Sequence, residues 1–249
     1  MNTSAFIFTG GIGHPFDSAA PALAGLLEAA GFDARQTLEM EQFTAWLEAE
    51  PEALAVVYAL RWGMTQHEKY APHRAQWAYT LPESSRTVLQ GHVSRGGGLL
   101  GLHTASICFD DWPAWGEILG GAWEWGRSYH PALGSVQVRP RHESPLVEGL
   151  PDFTLTDEVY TDLALQPGVT VLCEAEASLT INVMGEAVAP TGWQPVVWTH
   201  RYGRGRAAYD GLGHDAASLE HPAHQRLIQR LAHWAHGQPA TPVGAPADA

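Results

Sequence analysis

The sequence predicts an α/β domain in which helices cover both faces of a mostly parallel central sheet. Over about the first 120 residues, short apolar runs alternate with longer segments of helical periodicity, which is typical of parallel strands joined by helices. Two of these runs, AFIFT at Ala5–Thr9 and LAVVYAL at Leu54–Leu60, are apolar almost throughout, as in buried strands. A chain of 249 residues with 45% hydrophobic residues can bury the core that such a sheet requires.

The first half of the chain supplies strands and helices in alternation. The strand Ala5–Thr9 runs into a glycine-rich loop, and the next helix, Ala19–Ala30, ends before Gly31, a residue type that is common after helix C-termini. The other predicted elements of this half are the strand Asp33–Leu38, the helix Gln42–Glu48, the strand Leu54–Leu60, the helix Pro82–Arg95 and the strand Leu99–Leu102.

The second half is richer in strands. Gly203-Arg204 predicts a hairpin between the last two of them, and an amphipathic helix, Pro222–Trp234, follows. The predicted strands of this half are Gly134–Arg139, Val169–Glu176, Pro195–Tyr202 and Gly205–Asp210. We find no internal repeat and no linker, so we expect one domain over residues 1–236 and a flexible Pro/Ala/Gly-rich tail over residues 237–249.

The charge balance argues against polyanionic partners. The chain has 14 Lys and Arg against 27 Asp and Glu, a net charge of −13, so we expect neither nucleic-acid nor membrane binding. Its two cysteines form no disulfide framework. The sequence shows no signal-peptide pattern and no apolar run of about 20 residues, which predicts a cytoplasmic protein. Ten tryptophans are many for one chain to bury, and they predict a homo-oligomer.

Candidate functional residues follow the predicted strands. Ligands of such folds bind beyond the carboxyl ends of the parallel strands. Three strand ends carry suitable side chains, namely Gly10–His14, Arg61-Trp62 and His103-Thr104, and we expect them to converge. Seven histidines on predicted helices or loops away from the strand ends, among them His224, are interpreted as background.

The segment GGGLLGLHTAS at Gly96–Ser106 is the most informative of these. A strand followed by a sharp turn is where many α/β enzymes place a nucleophile, and His103 occupies that position here. An imidazole there can be a general acid, a general base or a metal ligand. The alternative is a histidine that is hydrogen-bonded at a strand end for structural reasons.

Two acidic segments and one aromatic segment supply further candidates. His214 precedes Asp215 after a predicted strand, which suits an oriented imidazole, although the aspartate can equally cap a helix. Glu158 lies in the segment DEVY. Trp125 and His130 belong to an aromatic group that can form a sugar-stacking wall or simply pack in the core.

A metal site is possible only if distant residues assemble it. The patterns HxxxH, HExxH and CxxC are absent from the sequence, so it contains no local zinc motif. The histidines that can converge are His14, His103, His130 and His214.

Taken in order, these motifs resemble the ThuA-like (trehalose utilisation) family, whose fold is similar to that of class I glutamine amidotransferases. The resemblance spans about residues 5–236. It rests on GGIGH at Gly10–His14, GGGLLGLHTA at Gly96–Ala105, Gly120-Gly121, His130-Pro131, GLPDF at Gly149–Phe153, DEVY at Asp157–Tyr160 and PVVWTHRYGRGRAAYDGLGHD at Pro195–Asp215. It implies a three-layer α/β/α, flavodoxin-like fold.

The resemblance also implies a role in carbohydrate catabolism, often with oxidised sugars and disaccharides. The related amidotransferases use a cysteine at the turn where this chain has His103, and Cys108 lies five residues further on, so glutamine hydrolysis is not expected.

Two functions remain open on the sequence. The first is an isomerase, lyase or hydrolase that acts on a sugar or keto-sugar by His/carboxylate chemistry, with a divalent metal such as zinc as a possible cofactor. The second is a non-catalytic carbohydrate-binding or regulatory protein. The residues assigned to catalysis are His103, His214, Glu158 and Asp215, and those assigned to substrate binding are His14, Trp125, His130 and Tyr160.

Overall fold

The computed structural model describes residues 3–238, in which helices flank a large mixed sheet. The strands are β1 (Thr3–Gly10), β2 (Phe32–Thr37), β3 (Leu54–Ala59), β4 (Gly98–Leu102), β5 (Gly121–Ala122), β6 (Gly134–Pro140), β7 (Phe153–Asp157), β8 (Ala164–Leu165), β9 (Thr170–Ala177), β10 (Gln194–Tyr202) and β11 (Gly205–Asp210). The helices are α1 (Phe16–Ala29), α2 (Met40–Ala49), α3 (Ala71–Trp77), α4 (Glu83–Ser94), α5 (Ala114–Leu119), α6 (Ala216–Leu219) and α7 (Pro222–His236).

The main sheet has nine strands in the order β2-β1-β3-β4-β11-β10-β9-β6-β7, and β5 pairs with β8 separately. The five strands from β2 to β11 are parallel, and each later strand is antiparallel to its neighbour. The predicted α/β fold with a mostly parallel sheet and added strands in the second half is thereby confirmed. The hairpin predicted at Gly203-Arg204 joins β10 to β11.

Each face of the sheet buries its own apolar layer because side chains alternate along a strand. On β1, Ala5 and Ile7 belong to the layer that includes α1 and α7, whereas Phe6 and Phe8 belong to the layer that includes α2, α4 and α5. Full burial of a side chain as large as Ile7, Phe6 or Phe8 stabilises the fold by about 1.5–3 kcal/mol. Helices on both faces explain why the parallel strands are apolar almost throughout.

The elements that were not predicted are short or lack an apolar pattern. In β7 the inward positions are Phe153, Leu155 and Asp157, so a buried carboxylate interrupts the alternation at the strand end. The helix α3 buries none of its side chains and therefore has no apolar stripe to detect.

The chain ends are described only in part. Helix α7 ends at His236, and Gly237 follows with a φ of 92°, which favours glycine. Residues 239–249, which hold most of the predicted flexible tail, lie outside the described residues. Within residues 3–238, no helix is long and apolar enough to span a membrane.

Candidate functional site

The carboxyl ends of β1, β4, β7 and β11 lie at the same edge of the main sheet, since these strands run in one direction. The loops that follow them carry His14, His103, Glu158 and His214. His14, His103 and Glu158 offer three ligand-type atoms that all lie within 4.8 Å of one another. We call these three residues the His/Glu cluster. Its members are far apart in the sequence, and the sheet brings them together.

His103 occupies a sharp turn after β4. Its φ of 46° is left-handed, a conformation that is costly for a residue other than glycine and is often retained at functional sites. The Tyr209 hydroxyl donates to the His103 carbonyl at 2.7 Å and holds this turn in place. The ring is fully buried, and its Nδ1 lies 2.8 Å from the Gly211 carbonyl. Because Nδ1 donates there, the Nε2 lone pair of the neutral ring faces the cluster.

His14 is placed by the glycine-rich loop after β1. A Cβ on Gly11 would lie 2.5 Å from the Leu60 carbonyl, so only glycine lets the loop pass this close to the end of β3. The His14 Nδ1 lies 3.4 Å from the Ile12 carbonyl, and its Nε2 lies 3.0 Å from the His103 Nε2. The loop therefore serves to present an imidazole to His103.

Glu158 is a buried carboxylate that is surrounded by imidazoles. Its Oε2 lies 3.5 Å from the His103 Nε2 and 3.7 Å from the His14 Nε2. The same oxygen lies 3.5 Å from the His130 Nδ1, and it has no hydrogen-bond donor. A carboxylate that is only 4% exposed needs compensation by positive charge or by donors.

The pKa values in the cluster reflect this mutual compensation. Burial, the largest influence, raises the pKa of Glu158, but His103 and His14 outweigh it and hold this pKa well below its ordinary range. Burial likewise lowers the pKa of His103, but Glu158 and Asp157 raise it above its ordinary value. For His14 burial prevails, and the pKa is lowered. A carboxylate and two imidazoles of unequal basicity thus share one site.

Asp157 fixes the two loops that carry Glu158 and His214. Its Oδ1 accepts from the backbone N–H of Glu158 at 2.8 Å and of His214 at 3.3 Å. Its Oδ2 accepts from the Gly213 N–H at 2.8 Å and from the Ser218 hydroxyl. Sequence reasoning assigned no role to this residue. The only available signal was its position at the end of an alternating strand.

His214 lies at the open side of the cluster. Its Nε2 is 3.8 Å from the Glu158 Oε1, its ring centroid is 4.7 Å from that of His14, and its side chain is 14% exposed. Its Nδ1 lies 3.7 Å from the Asp215 Oδ2. The other Asp215 oxygen accepts from the Ser218 N–H at 3.0 Å and caps α6. The structure thus shows the helix cap, and the catalytic assignment of Asp215 stays a prediction.

Tyr160 and His130 flank the cluster in different ways. Tyr160 is buried, with its ring stacked 4.6 Å from that of His103 and its hydroxyl 3.2 Å from the His103 Nε2. Tyr160 is thus in direct contact with His103, and its assignment to substrate binding stays a prediction. His130 is 28% exposed and borders the opening.

An aromatic wall continues outward from His130. The Trp123 ring lies 5.9 Å from that of Trp125, which in turn lies 6.2 Å from that of Trp62 and 6.4 Å from that of Tyr70. A cavity of about 220 Å³ lies here, bordered by Tyr70, Trp123, Trp125, His130, Asn182 and Met184 among others. Trp125 thus belongs to this wall and not to the His/Glu cluster. Tyr70 was not predicted as a wall residue, and the buried Trp62 stacks on Trp125 without bordering the cavity.

A larger cavity of about 310 Å³ lies elsewhere, between α1 and β2. It is bordered by Thr9, Asp17 and Gln36, and no histidine or cysteine lines it. Since size alone does not confer chemistry, we place the candidate site at the His/Glu cluster and its aromatic wall.

The two cysteines do not form a nucleophilic site. Cys108 is buried, and its thiol donates to the Ala59 carbonyl at 3.0 Å. Burial raises the pKa of Cys108 to about 12, so this thiol stays protonated at neutral pH. Cys173 is also buried, and its pKa is raised by the same cause.

Comparison with known proteins decides the family. A family model described as ThuA, trehalose utilisation, matches residues 4–235. The chain belongs to the ThuA family. No curated protein matches it. The family resemblance predicted from the ordered motifs is thereby confirmed.

Solved structures share the ThuA fold at low sequence identity. A ThuA-like protein from Parabacteroides merdae superposes with a TM-score of 0.73 at 20% identity, over 98% of this chain and 93% of that one. The cytoplasmic protein STM1381 from Salmonella typhimurium gives 0.60 at 12% identity, over 93% and 99% of the two chains. A β-galactosidase from Rahnella sp. R3 gives 0.58 at 13% identity, over 96% of this chain and 32% of the enzyme. At these identities the likeness concerns the fold alone.

Proposed function

We propose that this ThuA-family protein is an enzyme of carbohydrate catabolism that acts on a keto-sugar or keto-disaccharide by proton transfer. One observation carries the proposal: a buried cluster of two imidazoles and a carboxylate adjoins an aromatic-walled cavity. Aromatic faces suit sugar rings, and imidazole beside carboxylate suits proton transfer. The family's description as trehalose utilisation supports the carbohydrate part.

His214 is the residue best placed to move the proton. Its side chain is more exposed than those of His14 and His103, and Asp215 lies near its Nδ1 while Nε2 faces the cluster. The proposed step begins at a C–H bond next to the substrate carbonyl. His214 Nε2 takes the proton, and the electron pair of that bond forms a carbon–carbon double bond while the carbonyl oxygen becomes negative. In an isomerisation, the hydroxyl proton of the deprotonated carbon passes to the negative oxygen, and His214 returns its proton to the former carbonyl carbon, so that the carbonyl moves by one carbon. In an elimination, the substituent β to the carbonyl instead leaves with the electron pair of its C–O bond and takes up the proton from His214.

The His/Glu cluster has a different task in this proposal. His103 is fully buried and its pKa is raised, so it is suited to stabilising negative charge on the substrate oxygen. A divalent metal bound to the cluster would supply the same stabilisation as a Lewis acid. His130 and Trp125 are assigned to the sugar ring itself.

A panel of sugars tests the proposal. The purified protein is incubated with keto-sugars, keto-disaccharides and the corresponding unoxidised sugars, with and without added divalent metal, and products are followed by NMR. We expect turnover of keto-sugars, reduced by His214→Asn and unchanged in His73→Gln, an exposed position on α3. Binding without any product would instead favour the non-catalytic carbohydrate-binding or regulatory function.

We also propose that the protein works in the cytoplasm. Two structurally similar proteins from Salmonella typhimurium are described as cytoplasmic proteins, which supports this location. A fusion to a fluorescent protein, imaged in cells, tests it, and a signal confined to the cell envelope would contradict it.

A further inference from the structure

We propose that His14, His103 and Glu158 bind one divalent transition metal ion, with Zn²⁺ as the best match, through the two Nε2 atoms and the Glu158 Oε2. The inference concerns the site of the proposed function and rests on that function only for what the metal does. Its binding follows from geometry, hydrogen bonding and charge compensation.

The spacing of the three atoms fits a single ion. The two Nε2 atoms lie 3.0 Å apart, and the Glu158 Oε2 lies 3.5 Å from one and 3.7 Å from the other. Ligands at ordinary Zn–N and Zn–O distances in a tetrahedron are about 3.3 Å apart. The observed distances bracket that value, and three such ligands leave the remaining coordination positions open, as catalytic zinc sites do.

The tautomers of both rings favour a cation between them. The Nδ1 of His103 lies 2.8 Å from the Gly211 carbonyl, and the Nδ1 of His14 lies 3.4 Å from the Ile12 carbonyl. With protons on both Nδ1 atoms, the two Nε2 lone pairs point at each other and repel. The Tyr160 hydroxyl, 3.2 Å from the His103 Nε2, can donate to only one of the two, whereas a proton or a metal ion between them removes the repulsion. A metal-bound histidine that donates its other nitrogen to a carbonyl is the usual arrangement in proteins.

Glu158 supplies the observation that favours a metal over a proton. Its Oε2 is buried and accepts no hydrogen bond, yet it lies between 3.5 and 3.7 Å from three imidazoles. A single proton between the histidines would leave this oxygen without a close partner, whereas an ion at the centre would bind it directly.

Other buried or half-buried carboxylates of this chain have the hydrogen-bond donors that the Glu158 Oε2 lacks. Asp157 accepts from three backbone N–H groups and one hydroxyl, and Glu174 accepts from Arg139 and Arg141. Among residues 3–238, the charged side chains within salt-bridge distance of Glu158 are all histidines. Glu158 is thus buried beside metal-ligating side chains without an arginine or lysine to neutralise it.

The surroundings also hold the ligands in place. Asp157 lies 4.0 Å from the His103 Nδ1, and the Tyr160 ring stacks on the His103 ring. Outer groups of this kind set the direction of the ligand atoms and typically change metal affinity by roughly 10–100-fold. His214 remains outside the ligand set and free for proton transfer.

The test uses the untagged full-length protein, because an added histidine tag would itself bind metal. The protein is stripped with a chelator, reloaded separately with Zn²⁺ and Co²⁺, and desalted, and the metal content is measured by mass spectrometry. We expect about one ion per chain, a higher melting temperature after reloading, and a visible Co²⁺ absorption of the intensity that four- or five-coordinate sites give.

In the variants His14→Asn and Glu158→Gln, the new side chain is close in shape to the one that it replaces. The variant His73→Gln is the matched control at the surface. We expect each cluster variant to bind Zn²⁺ more weakly than the control by at least about tenfold. Circular dichroism checks that each variant is folded, and Co²⁺ absorption of the wild type decides the matter if a variant does not fold.

The outcomes separate this inference from the proposed function. Wild-type protein that is folded and holds far less than one ion per chain after reloading overturns the metal site, as do folded cluster variants that bind like the control. Turnover of keto-sugars by wild-type protein that takes up no ion on reloading overturns the metal site but leaves the proposed function standing. One ion per chain without any turnover supports the metal site and contradicts the proposed function.

Discussion

His103 combines a strained backbone with a fully buried imidazole. Asparagine tolerates the left-handed conformation far better than alanine does, so the two substitutions separate the backbone from the ring. We expect His103→Asn to lower turnover by about 10²–10⁴-fold, the usual contribution of a residue that transfers or stabilises a proton. We expect His103→Ala to lower turnover equally and to melt at a lower temperature than His103→Asn, as thermal denaturation would show. Equal melting of the two variants would mean that the turn carries no strain.

Asp215 caps a helix and also lies near the His214 Nδ1, and two substitutions separate these two roles. Asparagine caps helices as well as aspartate does, but it removes the negative charge near the His214 Nδ1. We expect Asp215→Asn to keep the melting temperature and to lower kcat, whereas Asp215→Ala also costs about 1 kcal/mol of folding stability. An unchanged kcat in Asp215→Asn would reduce Asp215 to the helix cap that the structure shows.

His224 has a structural role that its local sequence does not reveal. The sequence placed it on a helix and gave it no role, yet the ring is fully buried between the Asp210 Oδ2 at 3.0 Å and the Ser218 carbonyl at 2.8 Å. Ser218 in turn donates to Asp157, so this network braces the loop of His214 from below. Nothing in the local sequence around His224 shows a partner that is 14 residues away.

The buried pair of His224 and Asp210 gives a further prediction. Removing one member of a buried, hydrogen-bonded pair leaves the other without compensation and costs about 3–5 kcal/mol. We expect His224→Ala to destabilise the protein by that order in urea denaturation, and the conservative His221→Gln, a half-buried neighbour on the same segment, to have a much smaller effect. A loss below about 1 kcal/mol in His224→Ala would show that the pair is not important for the fold.

At the scale of elements, the parallel strands were predictable and the strand β7 was not. β1, β3 and β4 are apolar almost throughout because helices cover both of their faces, and this pattern is visible in the sequence. β7 is five residues long and ends on the buried Asp157, so its pattern resembles a polar turn. This strand, which was not predicted, directly precedes Glu158 and places it in the cluster.

The ion pair between β6 and β9 is expected to make the stability of the protein depend on pH. Burial raises the pKa of Glu174, but Arg141 and Arg139 outweigh it, and the net pKa is lowered. A carboxyl whose folded pKa is lowered stabilises the protein above its ordinary pKa, and this stabilisation is lost as the pH falls through the lowered value. We therefore expect Glu174→Gln to melt below the wild type at pH 7, by the equivalent of about 1 kcal/mol, and the difference to shrink in strongly acidic solution. If the difference in melting temperature did not change with pH, it would result from packing and not from the charge of Glu174.

For the whole molecule, the strand ends were predicted to converge, but the arrangement there was not. That His14 and His103 lie close together follows from parallel strands whose ends share one edge. That both face Glu158, beside a wall that includes Tyr70, depends on the course of the loops, which no local sequence pattern indicates. The periodicity of the sequence thus indicates where the candidate site lies, whereas the geometry of that site follows only from the structure.

The predicted homo-oligomer also belongs to this scale and stays a prediction. It rested on ten tryptophans, but no tryptophan of the described chain is among the exposed large apolar residues. The exposed ones include Ile181, Val183 and Met184, close to the aromatic cavity. Light scattering measures the mass directly, and a single mass near 27.0 kDa would contradict the oligomer.

In the proposed function, His214 removes a proton next to a sugar carbonyl while the His/Glu cluster stabilises the negative charge on the carbonyl oxygen. The most direct test of this claim is NMR of a keto-disaccharide incubated with the protein in D₂O. We predict that the wild type, but neither His214→Asn nor His103→Asn, introduces deuterium at the carbon beside the carbonyl or converts the sugar to a product labelled there. A wild-type protein that binds the sugar, with and without divalent metal, and leaves every carbon-bound proton in place would contradict the claim.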